Sequence, residues 1–288
     1  MNRNVRAALA TALMACAAAA LAAPASAPLS RDETMAAMRG LPWESGPTKG
    51  VVGSKSTVAI PKGVDFLKES AGSKFLELTG NLPSPGTSIL SGEQWWAVLS
   101  FNGMGYVKDD EKIDADALLK SIQESDEAEN AERRQRGLNE IHTEGWYVPP
   151  HYDSETKHLE WGLKLSSSGT SRTIVNYSVR LLGRTGVESV VLVSSPETLD
   201  ANVRGLKSIL KGFEFNSGEK YSEWKPGDHV AEIGLGALIV GATAAVAAKT
   251  GLWKALLATL AAFWKLIAVG GAAVLAAVAK IFKRKTAK

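Results

Sequence analysis

The sequence contains little cysteine and has no acidic residue at either end. Its one cysteine, Cys16, lies in an apolar N-terminal run, and no Asp or Glu precedes Asp32 or follows Glu232. If the N-terminal run is removed on export, the remaining chain has no thiol and can form no disulfide. The absence of cysteine therefore excludes thiol chemistry from the mature protein.

The common catalytic and nucleotide-binding signatures are also absent. No stretch matches the P-loop pattern or the G-x-S-x-G elbow of the α/β-hydrolases. The acidic run at 109–116, DDEKIDAD, lacks the alternating acids and central glycine of a calcium loop. The sequence therefore predicts no particular reaction, cofactor or metal, and we interpret the acidic run as a solvated surface.

The charges are divided unevenly along the chain. Residues 31–232 have a formal net charge of −7, and residues 233–288 have one of +8, within a total of +3. An acidic body argues against nucleic acid as a partner. A basic tail beside apolar segments favours an anionic membrane surface.

The N-terminus has the pattern of an export signal. Arg3 and Arg6 precede an apolar run at 7–21 that is too short to cross a bilayer. Small residues at 20–22 suit a cleavage site, so we predict a signal peptide at 1–22. Leu13 to Cys16 resembles a lipoprotein box, and lipidation at Cys16 is an open alternative.

The C-terminal end predicts a membrane anchor. We expect a juxtamembrane linker at 219–230 and a transmembrane helix at 231–253, long enough for a hydrocarbon core of about 30 Å. Residues 254–288 predict either an amphipathic helix on the cytoplasmic surface or a second membrane helix. The residues expected to contact anionic lipid are Lys254, Lys265, Lys280, Lys283, Arg284 and Lys285.

The region between the two apolar ends predicts an acidic α+β ectodomain at 23–218. Apolar residues alternate with Glu160, Gly162 and Lys164 in LEWGLKL, which is typical of a half-buried strand with a polar side toward solvent. Ser30 is predicted to cap one helix and Asp114 or Asp116 to cap a second, and Ser195 is expected to begin a third. Several strands with an amphipathic helix indicate an antiparallel sheet flanked by helices.

One long motif and several shorter ones resemble a known family. The motif is GYVKDDEKIDADALL at 105–119, preceded by WAVLSF. The shorter matches are Gly137-Leu138, Trp146, PPHYD at 149–153, His158-Leu159 with Trp161, Asn176-Tyr177, and Gly183-Arg184 with Gly186. Together they resemble the bacterial predicted membrane-anchored proteins catalogued as domain of unknown function 2167. The resemblance implies an exported, membrane-anchored protein without an assigned activity.

A second resemblance concerns the fold alone. Residues 146–215 end in an amphipathic helix followed by a short GFEF strand. This ending is similar to that of the photosystem extrinsic subunit family PsbP, and it implies a PsbP-like C-terminal half but no activity.

A histidine-rich stretch holds the candidate site residues of the sequence. His142, His151 and His158 fall within seventeen residues, with Asp153 between the last two. If the two predicted strands pair, His151 and His158 could face each other across the turn. The spacing is not that of a zinc site, and it favours ordinary hairpin histidines.

Two functions follow from these observations. The favoured one is a non-enzymatic binding or adaptor module in the inner membrane, with its ectodomain in the periplasm, its tail in the cytoplasm, and a protein partner in the envelope. The alternative is a periplasmic hydrolase or metal-dependent enzyme that uses the region from His142 to His158.

Overall fold

The computed structural model describes residues 29–241 of the chain. The helices are α1 (Arg31–Arg39), α2 (Glu69–Leu78), α3 (Ala115–Gln135), α4 (Leu199–Leu210) and α5 (Leu235–Val240), with a 3-10 turn at Tyr221–Glu223. The strands are β1 (Glu44–Ser45), β2 (Thr48–Val52), β3 (Ser56–Ile60), β4 (Asp65–Leu67), β5 (Thr87–Ser91), β6 (Trp96–Asn102), β7 (Ile141–Asp153), β8 (His158–Ser167), β9 (Thr170–Leu182), β10 (Val187–Ser194) and β11 (Phe213–Phe215). The predicted signal peptide and all six predicted lipid-contacting residues lie outside the described residues.

The strands form two antiparallel sheets. The larger has eight strands in the order β1-β4-β5-β6-β10-β9-β8-β7, and the smaller has three in the order β11-β3-β2. Helices pack on the larger sheet, so the predicted α+β class with an antiparallel sheet flanked by helices is confirmed.

Strand register decides which residues share a face of the larger sheet, because directly paired residues of an antiparallel ladder point to the same side. His158, Leu181 and Glu188 form one such row across β8, β9 and β10. Glu160 and Val179 form the next row on the same face. We call this side the α4 face, since α4 and the small sheet contact it.

Two hydrophobic clusters hold the domain together. The larger joins the α4 face and the small sheet to the side of the sheet near α2, where Phe75 packs edge-on against Trp96 at a centroid distance of 5.2 Å. The second lies near α3 and α5, around Trp161, and includes Ile122 and Leu235. Full burial of a large apolar side chain contributes roughly 1.5–3 kcal/mol.

Local sequence signals account for two helix starts but not for a third. The Ser30 hydroxyl accepts the Glu33 amide at 3.3 Å, which confirms the predicted cap. Of the two candidates for the second cap, Asp114 rather than Asp116 accepts a backbone amide, that of Ala117 at 3.1 Å. The helix start predicted at Ser195 is wrong, because α4 begins at Leu199. Residues 195–198 form a turn first, in which the Thr198 amide donates to the Ser195 carbonyl.

The segment expected to be a linker, 219–230, is part of the folded domain. Arg184 donates two hydrogen bonds to Asp228, at 2.6 and 2.7 Å, and Val230 forms a parallel bridge with Tyr106. The partners of this segment lie far away in the sequence. Its polar composition alone therefore predicted a free linker and gave no sign of these contacts.

The start of the predicted transmembrane helix is packed in the second cluster. Leu235, Leu238 and Ile239 are buried there, and the Gly236 amide donates to Glu111 at 3.1 Å. Within residues 29–241, the helices are too short or too polar to cross a membrane. The remainder of the predicted span, 242–253, lies outside the described residues.

Candidate functional site

A cleft of about 560 Å³ opens at the turn of the β7–β8 hairpin, beside the end of β9. One wall is the hairpin, another is β11, and the third is the segment around the 3-10 turn. The lining residues are Tyr106, Glu155, Thr156, Lys157, His158, Leu181, Leu182, Phe213, Phe215, Lys220, Tyr221, Ser222 and Trp224. The cleft thus combines five aromatic rings with two lysines, and its size is in the range of small-molecule and peptide-binding sites.

Three of these rings form a stack. Tyr106 lies against Tyr221 at a centroid distance of 4.4 Å and an angle of 23°, and against Trp224 at 5.3 Å and 35°. The Lys157 ammonium is 5.2 Å from the centre of the Tyr221 ring, within cation–π distance. Trp224 remains 39% exposed, so the stack presents an aromatic surface to a ligand.

Lys157 is held in place by its backbone and by Asp109. It has a φ of 59°, a left-handed conformation that is uncommon outside glycine, at the tight end of the hairpin. Its ammonium lies 2.8 Å from the Asp109 carboxylate, which also accepts the Tyr152 hydroxyl at 2.7 Å. Burial opposes the charge on Asp109, but the hydrogen bonds from Lys157 and Tyr152 outweigh it and lower the pKa of Asp109.

Behind the cleft, on the α4 face, Glu160 is the centre of a buried polar cluster. Its carboxylate accepts the Tyr177 hydroxyl and lies 2.6 Å from the Lys207 ammonium of α4. The His151 Nε2 is 3.5 Å from the same oxygen. Burial would raise the pKa of Glu160, but Lys207 and Tyr177 lower it on balance.

These pKa shifts hold the site in fixed charge states. Asp109 and Glu160 are stabilised as carboxylates, and burial with carboxylate contacts raises the pKa of Tyr152 and Tyr177 beyond the physiological range. Burial lowers the pKa of His158 despite the attraction of Glu160 and Asp153, so its ring is neutral at pH 7. An effective general acid or base has a pKa near the working pH, and these groups have been moved away from it.

The structure separates the four candidate residues of the sequence. His151 and His158 both lie near Glu160, but His151 pairs with Glu160 and His158 with Asp153. The expected pairing of the two histidines is therefore wrong, because the four-residue turn at 154–157 closes the hairpin at Asp153 and His158. His142 pairs with Ser166 at the other end of the strand.

Asp153 has a local structural role. Its carboxylate accepts the amides of Glu155 at 2.8 Å and Thr156 at 3.2 Å, which shapes the hairpin turn. Within residues 29–241, three or more His, Cys, Asp or Glu side chains do not come together in a way that could hold a metal ion.

The sequence reasoning missed most of the cleft. Glu160 was expected to face solvent, yet it is 6% exposed because α4 covers its side of the sheet. Tyr106, Tyr221 and Trp224 are up to 118 residues apart along the chain. The local signal that could have pointed to them is the aromatic pair at 221 and 224, which lies within the segment predicted as a juxtamembrane linker.

Comparison with known sequences gives one family. A model described as "Protein of unknown function (DUF2167)" matches residues 44–274, which is most of the chain. No curated protein sequence matches significantly.

Two solved structures are similar in outline. Cyanobacterial PsbP (CyanoP) from Synechocystis sp. PCC 6803 has 8% identity and a TM-score of 0.33, with 60% of this chain and 98% of that chain covered. The Ran-binding protein Mog1p from Saccharomyces cerevisiae has 7% identity and a TM-score of 0.33, with 63% and 100% covered.

Proposed function

We propose that this chain, which belongs to the DUF2167 family of proteins of unknown function, is a non-enzymatic binding or adaptor module of the bacterial envelope. The observation that carries the proposal is the cleft, where the Tyr221–Tyr106–Trp224 stack and two lysines line one opening. Aromatic surfaces with a few placed polar groups are typical of recognition sites.

The charge states of the site support binding over catalysis. The carboxylates of Glu160 and Asp109 form ion pairs with lysine ammonium groups at 2.6 and 2.8 Å, and these pairs favour their ionised state. Ion pairs of this kind position side chains. The alternative, a periplasmic hydrolase or metal-dependent enzyme using His142 to His158, is less well supported because His142 lies at the far end of β7.

For the location we propose the inner membrane, with the domain in the periplasm and the basic tail at the anionic cytoplasmic surface. The motifs of an export signal, an apolar segment and a basic tail support this arrangement. Because α5 is packed in the domain, the crossing would begin after residue 241 rather than at 231.

Site-specific photocrosslinking in living cells tests the binding role. A benzophenone amino acid at Trp224 should give discrete adducts. The same group at Tyr147, an aromatic residue of similar exposure on β7 (41% against 39%), should not. Equal labelling at both positions, or none at either, would contradict a binding role for the cleft. Resistance of the full chain to alkaline extraction from membranes tests the anchor separately.

A further inference from the structure

The strand β11 forms one edge of the small sheet and one wall of the cleft. It pairs only with β3 in the strand order β11-β3-β2 of the described residues. The outer side of an edge strand has backbone N–H and C=O groups that can pair with another chain. The edge therefore offers a template for an added strand.

Hydrogen-bond alternation shows which residues of β11 face outward. The Ala59 amide donates to the Gly212 carbonyl at 3.0 Å, and the Asn216 amide donates to Lys55 at 2.8 Å. In an antiparallel ladder the backbone N–H and C=O groups of every second residue face the partner strand. The backbone groups of Glu214, midway between Gly212 and Asn216, therefore also face β3. The backbone groups of the residues between them, Phe213 and Phe215, consequently point away from β3.

Those same two residues line the cleft with their rings. Phe213 and Phe215 form an edge-to-face pair at 5.1 Å and pack partly against the larger core. Leu181 lies on the same lining. A strand added along β11 would place alternate side chains toward this apolar wall.

The cations of the cleft favour an acidic ligand. Lys220 is exposed and has no ion pair within residues 29–241, whereas Lys157 shares its charge with Asp109. Glu155 also lines the opening, so the lining itself holds two lysines and one carboxylate. Lys220 is thus the cation available to a carboxylate.

We propose that the cleft takes an extended, acidic peptide segment of a partner protein, added as a strand to the outer edge of β11. Its backbone pairs with Phe213 and Phe215, a carboxylate meets Lys220, and an apolar side chain packs against Trp224. This inference rests on the proposed binding function and names the partner chemistry. A glycan could use the aromatic stack, but the outward amide and carbonyl groups of a strand edge are matched by a peptide backbone.

The test is peptide display on the full chain purified in nonionic detergent, followed by calorimetry with the most enriched peptide. Enrichment of Asp or Glu among β-forming residues is expected. Lys220→Glu should weaken that peptide about tenfold or more. Lys62→Glu, the same charge change in the turn after β3, should leave its affinity unchanged.

The backbone contact is tested at Phe213. Phe213→Ala removes the ring, and Phe213→Pro removes the ring and the outward N–H without breaking the pairing with β3. The proline variant should bind about threefold to tenfold more weakly than the alanine variant. Should the proline variant fail to fold, peptides N-methylated at single positions remove the same type of hydrogen bond and should show an alternating loss of affinity.

Three results would overturn the inference. They are no enriched peptide, affinity insensitive to Lys220→Glu, and N-methylation without effect at every position. Binding to purified peptidoglycan that depends on Trp224 would replace the peptide with a glycan. In that case the crosslinking at Trp224 would still support the proposed function, so the two failures are distinguishable.

Discussion

Glu160 and Glu188 are buried on the same face of the same sheet, but their surroundings differ. Glu160, beneath α4, has the Lys207 ammonium at 2.6 Å and the Tyr177 hydroxyl as partners. Glu188, beneath the small sheet, has the Ser56 hydroxyl at 3.3 Å, and one of its carboxylate oxygens lacks a hydrogen bond.

The two carboxyl groups therefore have pKa values displaced in opposite directions. Lys207 and Tyr177 overcome burial and lower the pKa of Glu160. Burial raises the pKa of Glu188 to about 8, since the Ser56 contact is too weak to offset it. The comparison teaches that the element covering a buried carboxyl group decides whether that group is ionised. Helix α4 extends the long side chain of Lys207 to Glu160, whereas β3 places only the short hydroxyl side chain of Ser56 beside Glu188.

Replacing Glu188 with Gln should give the largest effect. The folded-state pKa of about 8 is above the ordinary 4.5, so the extra proton stabilises the fold below pH 4.5, and this contribution is lost as the pH rises through 8. Gln has no proton to lose. The variant should match the wild type near pH 4 and exceed it in the free energy of unfolding by on the order of 3–5 kcal/mol at pH 9.

Urea unfolding of the full chain in nonionic detergent, repeated from pH 4 to 9, measures this difference. Glu160→Gln is the matched control and should not be stabilising at pH 9, because its carboxylate is already paired. A Glu188→Gln difference that is independent of pH would contradict the raised pKa.

Replacing Lys207 with Met should convert Glu160 into a carboxyl like Glu188. The side chain of Glu160 is 9% exposed and would lose its cation, but Lys207 is 45% exposed, so solvent screens part of the pair. We expect the free energy of unfolding at pH 7 to fall by about 2 kcal/mol. Adding Glu160→Gln to the same chain should recover most of the loss, and a double variant no better than the single one would refute the pairing.

Replacing Ser56 with Ala should remove the one side-chain hydrogen bond to Glu188. The same hydroxyl lies 3.1 Å from the Val52 carbonyl, so its single proton is shared between the two acceptors. The expected loss is about 1 kcal/mol, with the pKa of Glu188 moving further upward. The pH profile of unfolding should shift to higher pH. A shift to lower pH would show that the hydroxyl does not stabilise the carboxylate.

Replacing His151 with Ala should have the smallest effect. The ring is 53% exposed and lies 3.5 Å from Glu160, a distance and exposure at which an ion pair contributes little. We expect a change below about 0.5 kcal/mol at pH 7.5, measured by thermal unfolding. A loss comparable with that of Lys207→Met would make His151 an essential part of the cluster.

Local interactions explain what could be read directly from the chain. The caps at Ser30 and Asp114 join residues three positions apart, and the alternation in β8 reflects the geometry of a strand. Such signals need no knowledge of distant contacts. For the same reason the α+β class and the family were predictable from the motifs.

The sequence by itself determined the cap at Ser30, the alternation in β8 and the uneven division of charge between the domain and the tail. The tertiary structure alone decided that Glu160 is buried, that residues 219–240 pack into the domain, and that Tyr106 stacks between Tyr221 and Trp224. Each of these depends on which element covers a given surface. The contact between a surface and its covering element joins residues tens of positions apart, and local periodicity in the sequence does not predict it.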